Sequence, residues 1–352
     1  MVSRKMSVMI RISSVGRRLV RFLPLSILRL VALRLAQAVP LILAVSAVTF
    51  YLIFASPGSY ISNLRASNPR MSERELVLLQ ERLGISQDAR WYNTWARWWW
   101  GVASRGDLGT SFQNGRPVGP IMLDALGATA LLSGVSMVLA WIAAIPLGIV
   151  AALRRNTLLD YAASGFAFLC LSVPGVVLAA LALMLADASG WFPPGGMTSQ
   201  NHHTLATRWE RLLDVGHHLL LPAVVLAAGS MATLTRQMRS NLLETLEADF
   251  VRTALAKGLT RPQAIFRHAL RNALNPLITL LGFSIAGLLS GSFIVETIMN
   301  WPGLGRVVYE AFVAKDMYVV TVGVVMGTGM LLLGNLIADI LLAWNDPRIE
   351  IQ

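Results

Sequence analysis

The chain has 352 residues, of which 55% are hydrophobic and 14% charged, against roughly 25% charged in ordinary soluble domains. Length alone suggests two soluble domains, but so apolar a chain, with a mean hydropathy of +0.58, needs lipid as its solvent. The net charge of +11 raises nucleic-acid binding; no basic stretch alternates with base-stacking aromatics in a recognisable module, so nucleic acid is excluded as a partner and the cations are assigned to the cytoplasmic side of a membrane protein.

Residues 1–30 form a basic segment. Arg4, Lys5, Arg11, Arg17, Arg18, Arg21, Arg29 and Arg34 occur before the first acid. The positive-inside rule places that end in the cytoplasm, and an amphipathic helix lying on anionic lipid is also compatible with it. About 20 apolar residues span a bilayer core, and six stretches free of Asp, Glu, Lys and Arg meet this: Leu35–Leu64, Ala125–Leu153, Tyr161–Ala186, Val215–Thr235, Asn272–Val295 and Met317–Ala338. The expectation is an all-α, polytopic protein with six transmembrane helices and both termini inside. The first run, with its helix over 31–55, is too long for a signal peptide and lacks a prompt cleavage site. The fourth is the weakest, since His217, His218 and Pro222 fall near its start. None contains an acid or base of the kind that marks a proton relay or voltage sensor.

Residues 56–120 form a long external region. Ser72-Glu73-Arg74-Glu75 before Leu76, Leu78 and Leu79 reads as a capped helix start, running to Leu83 and ended by Gly84. Trp91, Trp95, Trp98, Trp99 and Trp100 read as an interfacial aromatic belt. Gly106-Asp107-Leu108-Gly109 and Asn114-Gly115-Arg116-Pro117 read as turns. The remaining core covers 121–343, followed by a tail over 344–352. Within the core, Asp124, Asp160 and Asp187 mark helix ends at the interface, and Asp339 pairs near the last one. Cys170 is the single cysteine, which excludes an intramolecular disulfide and a thiolate cluster. His202-His203 and His217-His218 read as polar loop residues without a carboxylate at ligand spacing. Glycines at 282, 287 and 291, and at 323, 327, 329 and 334, are small-residue patterns for close helix packing.

The cytoplasmic stretch 236–275 is far longer than a helix–helix turn of 2–8 residues. It reads as two helices meeting at Lys257-Gly258-Leu259-Thr260, with Pro262 at a first-turn position where its missing N–H costs nothing. Gly258 suits a left-handed cap. Ala254 and Ala256 let another surface approach, while Phe250, Val251, Leu255 and Leu259 offer apolar contact. The stretch is either a docking device or a solvated loop that only fixes topology.

Asp249-Phe250-Val251-Arg252-Thr253-Ala254-Leu255-Ala256-Lys257-Gly258-Leu259, followed by Arg267-His268-Ala269-Leu270-Arg271-Asn272-Ala273-Leu274-Asn275-Pro276, resembles the cytoplasmic loop of ABC-transporter permeases. The resemblance is strongest to the dipeptide/oligopeptide group, which includes nickel importers. Ala254 and Gly258 fit the importer spacing, and Arg252-Thr253 stand where other branches carry Glu-Ala. In chain order, Glu81–Ile85, Gly106–Ser111, Ile145-Pro146-Leu147-Gly148, Ser172-Val173-Pro174, Gly190–Pro193, Phe293–Ile298, Trp301–Gly305 and Asp346-Pro347-Arg348 agree with the first of the two peptide permeases. The resemblance covers residues 31–350. It implies a type I ABC importer permease fold and a pore-forming subunit that translocates peptides. It also implies a second homologous permease, two cytoplasmic ATP-binding subunits and an external substrate-binding protein as partners, beside membrane lipid. Phe250, Arg252, Thr253, Ala254, Lys257, Gly258 and Leu259 would form the ATPase-coupling loop. The chain has no Gly-rich loop ending in Gly-Lys-Ser/Thr, so no nucleotide cofactor is expected on it and ATP would be hydrolysed by the partner subunits. Paired catalytic groups are absent from the spans, so no enzymatic activity is expected. The rival readings are nickel or another small solute as cargo, and a stand-alone channel or secondary carrier. The latter would show intramembrane charges or an inverted repeat.

Overall fold

The computed structural model describes residues 25–58, 60–67, 72, 74–75, 90–204 and 207–345. The basic segment 1–24, the continuation of the capped turn to Gly84, and the Asp346-Pro347-Arg348 tail lie outside these. Among the described residues the chain is helical, with one isolated bridge between Thr110 and Pro117. In chain order the helices are α1 (Leu25–Ala55), α2 (Tyr60–Ser67), α3 (Trp91–Arg105), α4 (Val118–Leu153), α5 (Leu158–Ser172), α6 (Gly175–Ser189), α7 (Arg208–Glu247), α8 (Asp249–Ala256), α9 (Arg261–Ala264), α10 (Leu270–Ile298), α11 (Leu304–Ala314) and α12 (Met317–Asn345). A π-helical turn over Ile265–Ala269 joins α9 to α10.

Among the described residues four helices pass as long and apolar enough to cross a bilayer: α1 from Val31, α4, α7, and α12 to Ile340. α10 adds the charge-free stretch from Asn272 to Val295, 24 residues. At 1.5 Å per residue that reaches roughly 36 Å, more than a ~30 Å hydrocarbon core needs. The third expected span is not one straight helix: α5 and α6 pass the same test only as a pair bent by 102°. Pro174 causes the break. It lacks an N–H and disfavours helical geometry in the residue before it, and Val173 is extended at φ −91°, ψ 121°. The fourth span, weakest in the sequence, lies in the 40-residue helix α7, which continues through Pro222.

Two close approaches hold the bundle. A Cβ on Gly148 of α4 would lie 2.6 Å from Met238 Cβ of α7 and 2.9 Å from the Thr235 carbonyl oxygen. That explains the Pro-Leu-Gly run: only glycine lets these helices touch backbone to side chain. At the other end Glu296 is fully buried. Its Oε1 accepts a hydrogen bond from Thr129 Oγ1 at 2.7 Å and its Oε2 one from Gly305 N at 2.7 Å. A Cβ on Gly303 would sit 2.3 Å from Glu296 Cδ. The Trp-Pro-Gly-Leu-Gly turn is thus folded onto a carboxylate, and Trp301, also fully buried, donates its indole N–H to Ala128 O at 2.9 Å.

The tryptophans depart from the expected lipid belt. In α3, Trp95 and Trp99 both donate their indole N–H to Ser46 Oγ of α1, each at 3.0 Å, and Trp98 is buried with its N–H on Leu108 O. Trp100 alone of these is 74% exposed. Positions 91, 95, 98 and 102 fall on one helical face, so the cluster packs α3 onto α1. The small-residue pattern of α12 holds at Gly323, where a Cβ would strike Val308 of α11, while Gly327 and Gly329 face open space.

Candidate coupling site

The hairpin Ala248–Ala264 lies at the end of the bundle that also carries the α4–α5 turn. α7 stops at Glu247 because Ala248 turns extended (φ −71°, ψ 147°), a break the sequence did not signal. α8 follows, and its last turn is closed by Gly258 N donating to Leu255 O at 3.0 Å, with Gly258 at φ +92°. That sign of φ is the one glycine adopts without steric cost. Thr260 then starts α9 with a capping box, its N–H donating to Gln263 Oε1 at 3.1 Å, and Pro262 stands in the first turn as expected.

The expected coupling residues divide into two sets. Val251 and Ala254 are buried and Leu259 packs beside them, all against Met238, Leu242, Ala264, Ala269 and Leu277. Their small or branched side chains fasten the hairpin to the bundle, so the small size of Ala254 serves internal packing rather than an open approach. Phe250 and Leu255, by contrast, stand 43% and 41% exposed, flanked by exposed Arg252, Thr253 and Lys257. Arg252 lies 3.6 Å from Asp249, an exposed pair of little energetic weight. Beneath the hairpin, Asn241 donates its side-chain N–H to Ala273 O at 3.2 Å inside the core and accepts from Gln237 at 2.8 Å. The exposed face of Phe250 and Leu255 thus stands on a packed core, which makes it a supported pad.

Sequence reasoning missed the clasp beside this pad. Asp160, expected to mark the interface, is 2% exposed. Arg239 donates to both of its oxygens, and Asn156 N adds a third bond at 3.0 Å. Asp124 and Asp187 are exposed; Asp187 lies in the last turn of α6, but Asp124 lies in the second turn of α4, which begins at Val118, and not at the helix end expected for it. Asp339 of α12 pairs with Arg34 of α1 at 2.8 Å. At the opposite end the histidines do have a carboxylate: Asp214, four residues before His218, accepts from His202 Nδ1 at 2.7 Å and from Ser199 N, pinning the 190–204 loop to α7. His217 Nε2 meets Trp191 O at 2.8 Å.

A bundle of apolar helices with one broken span and an exposed amphipathic hairpin at one end defines a polytopic membrane protein. Residues 144–351 match the family described as binding-protein-dependent transport system inner membrane component, and the chain belongs to it. It is a multi-pass inner-membrane protein, and the resemblance to ABC importer permeases holds at family level. It is 36% identical over 319 residues to the oligopeptide transport system permease protein AppB of Bacillus subtilis (strain 168), covering 90% of this chain and 98% of that one. It is 33% identical over 340 residues to the dipeptide transport system permease protein DppB of Escherichia coli (strain K12), covering 92% and 99%. A solved methionine ABC transporter, MetNI in inward-facing conformations, is similar at 16% identity with a TM-score of 0.46, over 63% of this chain and 96% of that one.

Proposed function

We propose that the chain is the pore-forming subunit of an ATP-driven importer of di- or oligopeptides, with both termini cytoplasmic. It works beside a second homologous permease, two cytoplasmic ATPase subunits and an external binding protein. The observation that carries the coupling role is the split of the hairpin: Val251, Ala254 and Leu259 anchor it, and Phe250 and Leu255 remain uncovered. A supported pad transmits force without absorbing it, so closure of ATPases seated on Phe250, Arg252, Thr253, Leu255 and Lys257 moves α7 and α10 together. Peptides as cargo rest on the peptide permeases among the relatives.

Uptake of labelled dipeptides, longer peptides and nickel in cells with and without this gene tests the cargo. Loss of peptide uptake alone supports the proposal; loss of nickel uptake alone keeps the machine and changes the cargo. Phe250→Asp with Leu255→Asp tests the pad: insertion should persist while ATPase co-purification falls. Unchanged co-purification and uptake would remove the coupling role.

A further inference from the structure

The end of the bundle opposite the hairpin carries a second feature, a cleft of about 650 Å³ between α2, α3, the 106–117 turn and the start of α12. Arg97 and Arg105 line it from α3, and Asp107 lines it from the turn. The arginines are eight residues apart, so they stand on one helical face roughly 12 Å apart along the axis. Among the described residues neither arginine has a carboxylate partner, and all three charged side chains belong to exposed residues. Asp107 uses one oxygen to accept from Gly109 N at 2.9 Å.

The walls are fixed rather than loose. Trp98 donates its indole N–H to Leu108 O at 3.1 Å, which ties the turn to α3. On the other side a Cβ on Gly109 would come within 2.8 Å of the Tyr318 ring, so the turn is pressed against α12. The backbone that carries two cations and one anion is thereby fixed around an aromatic floor, with Arg97 Nε donating to Asn93 O at 3.4 Å, in a concavity of the size that takes small organic ligands.

We propose that this cleft is a peptide subsite on the permease itself, its cationic wall of Arg97 and Arg105 attracting the terminal carboxylate and Asp107 the terminal ammonium. The guanidinium fork suits a carboxylate. A simple anion site would gain nothing from Asp107, whereas a zwitterion uses both signs. Binding of the two backbone ends, with side chains over Trp98 and Tyr60, would tolerate varied sequences. The inference rests on the peptide-import reading.

The test uses the complete transporter in lipid nanodiscs with the binding protein left out, and radiolabelled tri-alanine in equilibrium dialysis. Wild type should bind tri-alanine, with the C-terminally amidated peptide weaker by about tenfold or more. Arg97→Gln with Arg105→Gln should weaken the free peptide and abolish its advantage over the amide. Asp107→Asn should weaken the free peptide but leave the N-acetylated one unchanged. Equal binding of free and amidated peptide, or no binding by a wild-type transporter that imports peptides in cells, overturns the subsite alone. Variants that bind tri-alanine normally but no longer co-sediment with the binding protein also overturn it, and make the cleft a protein-docking surface. Failure of wild-type cells to import any peptide instead overturns the import reading beneath it.

Discussion

Arg239 grips Asp160 from 79 residues away with two parallel bonds, Nε to Oδ1 at 2.6 Å and Nη2 to Oδ2 at 2.8 Å. The pair joins the first turn of α5 to the last turns of α7, beside the coupling hairpin. Removing the carboxylate leaves a partly buried guanidinium unmatched and frees Asn156 N, whose residue sits at φ +62°. Asp160→Ala should therefore destabilise the protein by about 2–3 kcal/mol, below the full cost of a wholly buried pair because Arg239 keeps some water. Arg239→Lys should lie between, having lost the fork. Thermal unfolding in detergent measures both, and faster tryptic cleavage at Arg154 and Arg155 should accompany the loss.

Substitutions in the hairpin should separate by direction. Ala254 is 7% exposed within the core cluster, so Ala254→Trp overpacks it at about 1–3 kcal/mol and loosens the whole hairpin. At Gly258 an added Cβ would meet nothing within 4 Å, so Gly258→Leu meets only backbone strain of about 1–2 kcal/mol. Neither isolates docking as Phe250→Asp does. Comparing melting temperature with ATPase co-purification should show Ala254→Trp losing both and Phe250→Asp losing only the second.

Much of this was legible in the sequence because it is local. The charge-free runs place the spans, and Lys257-Gly258-Leu259-Thr260 with Pro262 places the turn, since cap chemistry depends on neighbours. Apart from the local break at Ala248, what was not legible joins distant residues. Nothing near Ser46 marks it as the acceptor for two indoles about 50 residues on, and nothing near Asp160 names Arg239. Ala254 shows the same limit: a small residue reads alike whether it admits a partner or fills its own core.

Ser46 should be unusually costly for an isolated serine in an apolar helix. Its hydroxyl donates to Leu43 O and accepts from Trp95 and Trp99. Ser46→Ala keeps the volume close but strands two indole donors, at about 1–3 kcal/mol in total. Near-ultraviolet circular dichroism should register it, since the α3 tryptophans lose their fixed environment.

Asp316, just before α12, gives a pH dependence. It is fully buried, and burial pushes its carboxyl above the ordinary 3.8, opposed by the hydrogen bonds from Ser111 and Gln113. A carboxyl that holds its proton more tightly when folded favours the folded state in acid. That contribution is lost as pH rises from the unfolded to the folded pKa. Wild-type melting temperature should fall across that window. Asp316→Asn, which keeps an oxygen for Ser111 Oγ, should flatten the fall.

Glu296 and Gly303 should prove energetically coupled. Glu296→Ala strands Thr129 Oγ1 and Gly305 N and opens a cavity, costing about 3 kcal/mol. Gly303→Ala pushes a methyl into the space of Glu296 Cδ, at 2.3 Å from an ideal Cβ, and should cost about 2 kcal/mol. If the carboxylate is what demands the glycine, the clash vanishes once the carboxylate is gone, and the new methyl partly refills the cavity. The double variant should then be more stable than the sum of the single effects by about 1 kcal/mol or more. Unfolding of the four proteins of this cycle measures the difference directly. Strict additivity would mean that Gly303 is required by its own turn and not by Glu296.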